Sequence, residues 1–372
     1  MIHVDGSYGE GGGQILRTSL SLSAITGQPL CIERIRAGRR QPGLRPQHLT
    51  AVRAAATICG ARLQGDTVGS PTLVFEPQHR PQAGRYEFDV RQAAQGGSAG
   101  SVTLIFQTLL LPLALAEGSS ELILHGGTHG AWSPPFHYLQ HVYLPMVARL
   151  GIRASVELRR WGWYPQGNGE IKATVRGHGS GDRGYGPGDW RWSPDPSPLT
   201  PMTLVERGAL KRLWGLSATS NLPTHVRERM RKRALERLLP AGVRAEIELV
   251  DAPSPGPGAG LFLFAEYEGV ASELVTAGFS GFGRQGKPAE AVADEAVEAF
   301  LAYHQSGAPV DPHLADQLIL PLALSGGAAI FRTSEVTRHL LTSVWVVGQF
   351  LDVEVRVEGE MGQAGLVRFS AG

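Results

Sequence analysis

A glycine-rich turn ahead of a helix, a run of arginines and a late histidine are the residues of this chain whose types and spacing could do chemistry. In DGSYGEGGGQILR (5–17), consecutive glycines precede a helix start. Backbone N–H groups converge on such a turn, and the helix dipole favours an anion there. No Lys-Ser/Thr follows, so it is not a Walker A loop, and the spacing is not the GxGxxG of a dinucleotide fold. Glu10 inside it would repel a phosphate unless a divalent cation lies between them, which makes metal coordination a coherent role. A purely structural glycine turn is the alternative. Arg17, one turn into the helix, could reach the same anion.

Arg34, Arg36, Arg39, Arg40 and Arg45 fall within twelve residues, with Glu33 the only nearby acid. Guanidinium forks match phosphate oxygens, and GRRQPGLRPQ has the Gly and Pro content of a shaped site; a solvated basic loop is the other reading. In DPHLADQLILPLAL (311–324), Asp316 and Gln317 stand ahead of an apolar helix. They serve either as ordinary helix-start chemistry or as a carboxylate for metal and an amide for a base or phosphate. SEVTRHLLTSVWVV (334–347) has Val336, Leu340, Val344 and Val347 at helical spacing, with Ser334 as the expected N-cap. His339 sits in its first turns, where anions are favoured. An imidazole can attack an α-phosphate and form a phosphoramidate. Lysine does this more often, but the chain has only Lys172, Lys211, Lys232 and Lys287, none in a nucleotidyl-transfer motif. His125 and His129, in HGGTHGAWSPPFHYL, lack a nearby acid, which argues against zinc.

The elements that must position these groups repeat. A chain of 372 residues with 42% hydrophobic content can bury a large core, and 48 glycines with 25 prolines imply many tight turns. Two cysteines, Cys31 and Cys59, support neither a disulfide framework nor a four-ligand zinc site and read as buried thiols. A net charge of +1 announces no bulk nucleic-acid binder. No apolar run is long enough to span a bilayer and no signal peptide is evident, so a soluble, cytoplasmic protein is expected. A strand at 2–5 leads to a helix closed by Gly27, a strand LCIERIRAG, and a helix ending at Gly60. The helix–strand–loop–helix–strand pattern returns from Ser98 and again from His313. LPLAL occurs in both later first helices (Leu111–Leu115, Leu320–Leu324), and Gln14, Gln107 and Gln317 hold comparable places. His48, His137 and His339 each open a second helix. The fold class is α/β (α+β): three tandem units of two helices on a four-stranded sheet. Residues 1–180 carry the first two units, 181–200 a Gly/Pro/Ser linker, 201–278 an inserted small α/β domain and 279–372 the third. The helix THVRERMRKRALERLL in the insert is strongly basic, with a solvated face or an RNA contact as its two readings.

Together GEGGGQILR, IRAGRRQPGLRPQHLTA, SAGSVTLIFQTLLLP, HGGTHGAWSPPFHYL, HLADQLILPLAL and RHLLTS, in this order along nearly the whole chain, resemble the RNA 3′-terminal phosphate cyclases. RGALKRLWGLSATSNLPTHVRERM extends the match into the insert. The resemblance implies a ligase-type enzyme that uses ATP and Mg²⁺ or Mn²⁺ to turn an RNA 3′-phosphate into a 2′,3′-cyclic phosphate. A histidine–AMP adduct and an RNA–adenylate anhydride are the implied intermediates, and AMP and pyrophosphate are released. By residue match, His339 is the nucleophile. Gln107, the run His313, Leu314, Ala315, Asp316, Gln317, and Pro134 with Pro135 contact ATP, the His313 ring stacking on adenine. Arg17, Arg36, Arg39 and Gln47 bind triphosphate or the RNA end, and Glu10 and Asp316 hold the metal. His48 and His137 read as structural, or as supports behind the residues that act. QAAQGG (92–97) and the 178–201 linker are longer than the family pattern. The resemblance implies an RNA partner and no membrane, and leaves the oligomeric state open, a homodimer included. A cyclase-like rRNA-processing or ribosome-assembly protein is the alternative, but that group lacks the nucleophilic histidine. Enolpyruvyl transferases, with a related repeated architecture, are a third class that needs no ATP.

Overall fold

In the first two helices glycine acts as the expected stop. Gly27 and Gly60, at φ 72° and 59°, close α1 (Gly13–Thr26) and α2 (Pro46–Cys59) in the left-handed conformation that a side chain disfavours. The computed structural model describes residues 1–93, 99–178, 198–269 and 274–371. The 181–200 linker and the QAAQGG run therefore lie largely outside the described residues.

Three units share one topology. In the first, β1 (Ile2–Asp5) runs parallel to β2 (Leu30–Glu33), and β3 (Arg62–Gln64) and β4 (Leu73–Glu76) complete the order β1-β2-β4-β3. The second orders β5 (Arg85–Asp89), β6 (Ser119–Gly126), β7 (Arg153–Arg160) and β8 (Gly169–Arg176) as β5-β6-β8-β7. Its helices are α3 (Val102–Ala114) and a stretch in which a π turn, Leu139–Tyr143, joins α4 (Phe136–Tyr138) to α5 (Leu144–Ala148). The strand LCIERIRAG is shorter than expected. Arg34 and Arg36 have φ of 52° and 53°, and left-handed residues cannot continue a pleated strand.

The insert forms a sheet of its own. β10 (Leu210–Ser220), β11 (Glu246–Asp251), β12 (Gly258–Glu268) and β13 (Leu274–Phe282) lie in the order β11-β10-β12-β13, with α6 (Thr224–Leu238) and α7 (Ala289–Ser306) packed on it. Its ends do not coincide with the expected 201–278. β9 (Thr203–Leu204) pairs in parallel with β14 (Ala329–Thr333) of the third unit, and α7 packs on β12, β13 and α6. The insert thus interrupts the third unit after its first strand. That unit continues with α8 (Pro312–Ala323), α9 (Arg338–Gly348), β15 (Val353–Glu358) and β16 (Gly365–Ala371), in the sheet order β15-β16-β14-β9.

The basic helix faces acids. Arg229, Arg233 and Arg237 on α6 reach Glu290, Asp294 and Glu298 on α7, a four-residue ladder matched on both helices. Three of its cations are therefore tied to the neighbouring helix.

At the centre, α1 packs against α2, α3 and α9, so the first unit's leading helix touches both other units. In the sheets of the three units buried residues alternate with more open ones, as in LVFE of β4, so each of these sheets turns one face to the helices, whereas β12 of the insert is buried along most of its length. Cys59 is buried, and burial pushes its thiol up to about 12, whereas Cys31 is only half-buried. Among the described residues no helix is long and apolar enough to cross a membrane.

Candidate active site

The N-terminus of α1 meets α8, α9 and α3 around a cleft of about 590 Å³. Of the residues expected at the site, Glu10, Arg17, Arg36, Arg39, Gln47, Gln107, Pro134, Pro135, His313, Asp316, Gln317 and His339 all line it. Leu314 and Ala315 do not. Both are fully buried, because positions 314 and 315 fall on the inner face of α8 while 313, 316 and 317 fall on the outer.

Glycine shapes the entrance. A Cβ on Gly12 would overlap the Glu10 carboxylate, one on Gly13 would overlap the His48 ring and crowd Arg17, and one on Gly9 (φ 56°) would overlap the Thr342 hydroxyl. Side chains thus close in on the start of α1 in a way only glycine allows. The turn is clamped to α9: the Glu10 N–H donates to Thr342 Oγ1 at 3.2 Å, and Tyr8 stacks on Trp345 at 4.0 Å. α1 has no side-chain N-cap, so its first N–H groups face the cleft as donors for an anion.

Ser334 is not the cap of α9. Thr337 caps it, accepting from the Leu340 N–H at 3.1 Å, and this places His339 second in the helix. Its ring is open to the cleft. His339 Nδ1 lies 2.6 Å from Gln14 Oε1. The Gln14 amide nitrogen lies 2.7 Å from Asp316 Oδ2, 2.6 Å from Ser343 Oγ and 3.3 Å from the His339 carbonyl. Three acceptors around that nitrogen orient the amide, so Oε1 accepts and His339 Nδ1 donates. The Nε2 lone pair is then free and points away from Gln14. Burial, with Arg17, His313 and Arg39 nearby, lowers the His339 pKa, so the ring is neutral at pH 7. A neutral imidazole with Nε2 free is a nucleophile.

Arg17 stands over this group. Burial lowers its pKa to about 10 against the attraction of Asp316, and among the described residues its guanidinium makes no hydrogen bond or ion pair, only its carbonyl accepting from Ser21 Oγ at 3.0 Å. A half-buried guanidinium without a partner is a site for an anion. The arginine loop is more committed. Arg39 pairs with Glu10, and Arg36 donates to the carbonyls of Gln41 (2.7 Å) and Gly43 (3.0 Å). Gln47 Oε1, in the first turn of α2, accepts from the Ser101 N–H at 3.1 Å, tying that helix start to the second unit.

Opposite, the Gln107 amide donates to Gln317 Oε1 at 2.6 Å, joining the first helices of the second and third units, and the Gln317 amide donates to the His313 carbonyl. Pro134 is held by Thr103, whose hydroxyl donates to the Pro134 carbonyl at 2.7 Å. Tyr138 donates to Asp311, the fully buried N-cap of α8, at 2.9 Å. Burial first, and then Asp311, raise the Asp316 carboxyl to about 7.

Glu10 and Asp316 are two oxygen donors on the same cleft. Magnesium is commonly held by one or two carboxylates plus substrate phosphates, so the pair fits a hard divalent cation that a bound triphosphate would complete. Among the described residues, no three His, Cys, Asp or Glu side chains gather to hold a metal.

A family model described as RNA 3′-terminal phosphate cyclase matches residues 8–357. The chain belongs to this family. It is an enzyme of that family by likeness to its curated members. RNA 3′-terminal phosphate cyclase from Gloeothece citriformis (strain PCC 7424) is 49% identical over 350 residues, covering 94% of this chain and 93% of that one. The one from Methylococcus capsulatus (strain ATCC 33009 / NCIMB 11132 / Bath) is 48% identical, covering 99% and 96%. The cyclase from Thermococcus onnurineus (strain NA1) is 41% identical, covering 99% and 98%. A solved enolpyruvyl transferase, NikO from Streptomyces tendae, aligns with TM-score 0.32 at 10% identity over 96% of this chain and 46% of that one, a likeness that carries no argument.

In this cyclase-family chain, sequence reasoning passed over Gln14 as a site residue, noting it only as a repeat position. Its spacing was a signal: Gln14 and Arg17 are i,i+3 and share a helix face. His48 also lines the cleft. Its Nδ1 accepts the Arg45 N–H at 3.1 Å, so Nε2 carries the proton. Burial, with Arg17, Arg36 and Arg45 around it, keeps it neutral. His137 lies elsewhere, 3.0 Å from buried His129.

Proposed function

We propose that this chain converts an RNA 3′-terminal phosphate into a 2′,3′-cyclic phosphate at the expense of ATP, through a covalent histidine–AMP adduct. His339 Nε2 attacks the α-phosphorus; a P–N bond forms and the P–O bond to pyrophosphate breaks. An oxygen of the RNA 3′-phosphate then attacks the same phosphorus, and the P–N bond breaks to give an RNA–adenylate anhydride. Finally the vicinal 2′-hydroxyl oxygen attacks the RNA 3′-phosphorus, loses its proton, and AMP leaves. The first two steps provide a leaving group that a phosphomonoester dianion lacks.

One observation carries this reading. Gln14 holds His339 with Nε2 free while Arg17, whose guanidinium makes no hydrogen bond or ion pair among the described residues, lines the same cleft. Arg17, Arg36, Arg39 and Gln47 would bind the triphosphate or the RNA end, and the bare N-terminus of α1 adds backbone donors. Gln107, Gln317, Pro134, Pro135 and the His313 ring would enclose the base and ribose. A divalent cation held by Glu10 and Asp316 would neutralise phosphate charge.

Incubating the protein with α-labelled ATP and Mg²⁺ or Mn²⁺, without RNA, should give an acid-labile, alkali-stable adduct. His339→Ala should abolish it while circular dichroism stays that of the wild type. Label on that variant, or none on the wild type, overturns the mechanism.

A further inference from the structure

The reactive cleft has a neighbour. A second groove, of about 940 Å³, shares Gln47, Trp132 and Ser133 with it and continues between α2 and the 127–133 loop. Among the described residues no acidic side chain lines it, while Arg45 and Arg53 do. Arg45 makes no ion pair among the described residues, while Arg53 donates to the Asp66 carbonyl at 3.2 Å and to its carboxylate at 3.4 Å. Trp132 is 79% exposed and Tyr164 57%, and the two rings meet edge to face at 5.2 Å. A tryptophan this exposed gains nothing from burial, yet Tyr164 holds it upright at the boundary between the two cavities. The backbone of Gly100, Gly127 and Gly130 forms part of the wall, leaving flat space beside the rings.

We infer that this groove is the track for the nucleotides that precede the RNA 3′ end. Bases stack on Trp132 and Tyr164, and phosphates run along Arg45 and Arg53. Single-stranded nucleic acid is bound in this way, by aromatic faces that accept any base and by a cationic lane for the backbone. Continuity with the cleft supplies direction: the terminal phosphate lies by His339 and the chain leaves past Trp132. This rests on the reaction proposed above.

The test compares a 3′-phosphorylated decanucleotide with a 3′-phosphorylated dinucleotide, read as the ratio of their kcat/KM values. Trp132→Ala and Tyr164→Ala should lower the preference for the longer RNA about tenfold, and Trp132→Phe should retain most of it. Arg53→Gln should reduce the salt dependence of decanucleotide binding by roughly one phosphate contact. Both aromatic side chains are exposed, so the variants should melt with the wild type. If the ratio is unchanged, or both substrates suffer equally, the groove is not the track. A wild-type protein that cyclises neither RNA instead refutes the reaction.

Discussion

Replacing Gln14 with leucine probes the site at its most connected point. Gln14 is 8% exposed and makes one hydrogen bond to a carboxylate, one to a hydroxyl and one to the His339 ring, with a longer one to a carbonyl. Leucine keeps the volume and removes all of them. A hydrogen bond to a charged group is worth roughly 1.5–3 kcal/mol and a neutral one about 1. Asp316 and His339 can recover water from the cleft, so a net loss of about 2 kcal/mol in folding stability is expected. The larger effect falls on rate. Without Oε1 to accept from Nδ1, the ring is free to turn and to exchange tautomers. Misplacing a nucleophile by an ångström costs on the order of a hundredfold. Single-turnover labelling with α-labelled ATP should slow by about 30- to 100-fold, a barrier increase of roughly 2–3 kcal/mol. The companion Gln14→Glu moves the pH profile. A carboxylate beside Nδ1 stabilises the imidazolium and raises the lowered His339 pKa, so labelling should reach half its plateau about one pH unit higher. A Gln14→Leu protein that labels at the wild-type rate, or a Gln14→Glu profile identical to wild type, would refute the assignment of Gln14 as the residue that positions His339.

Other outcomes follow from the same geometry. Glu10→Ala should raise the Mg²⁺ or Mn²⁺ concentration needed for half-maximal adenylylation, and unchanged metal dependence would remove Glu10 from the site. His129 and His137 are buried against Trp161 and Trp163, and burial depresses both, His137 to about 3. The unfolded chain takes up their protons near pH 6.5 while the folded one does not, so stability is intact above that pH and falls as pH drops from 6.5 toward the depressed values. Denaturation at pH 7 and pH 5 should differ by roughly 2 kcal/mol for each ring, and equal midpoints would contradict their burial as neutral groups. The triple variant Arg229→Ala, Arg233→Ala, Arg237→Ala should slightly lower the melting temperature and leave the KM for RNA unchanged. A rise in that KM would make α6 an RNA contact.

The local elements were largely legible. Gly27 and Gly60 stop helices because the left-handed conformation they adopt disfavours a Cβ, and that information sits in one residue. The repeated LPLAL and the helix–strand order likewise follow from local periodicity, and the family from motifs in sequence order. Where a boundary depended on distant pairing, the sequence misled. Thr203–Leu204 look like the start of the insert until β14, more than a hundred residues later, accepts them as a strand. Ser334 was as good a cap by type as Thr337, and the choice fell to the turn geometry. The basic face of α6 could not be read without α7, whose acids lie 61 residues further on.

By itself the sequence determined which groups were present: an imidazole on a late helix, arginines near a glycine turn, and carboxylates at two helix starts. Only the tertiary structure decided which of them act together. Gln14 reaches His339 across 325 residues and Asp316 across 302, because α1 of the first unit packs against α9 of the third, beside α8. A tautomer, a guanidinium set beside a histidine and two cavities that share a wall are properties of such junctions. They arise from distances between elements, and no local pattern of residues encodes them.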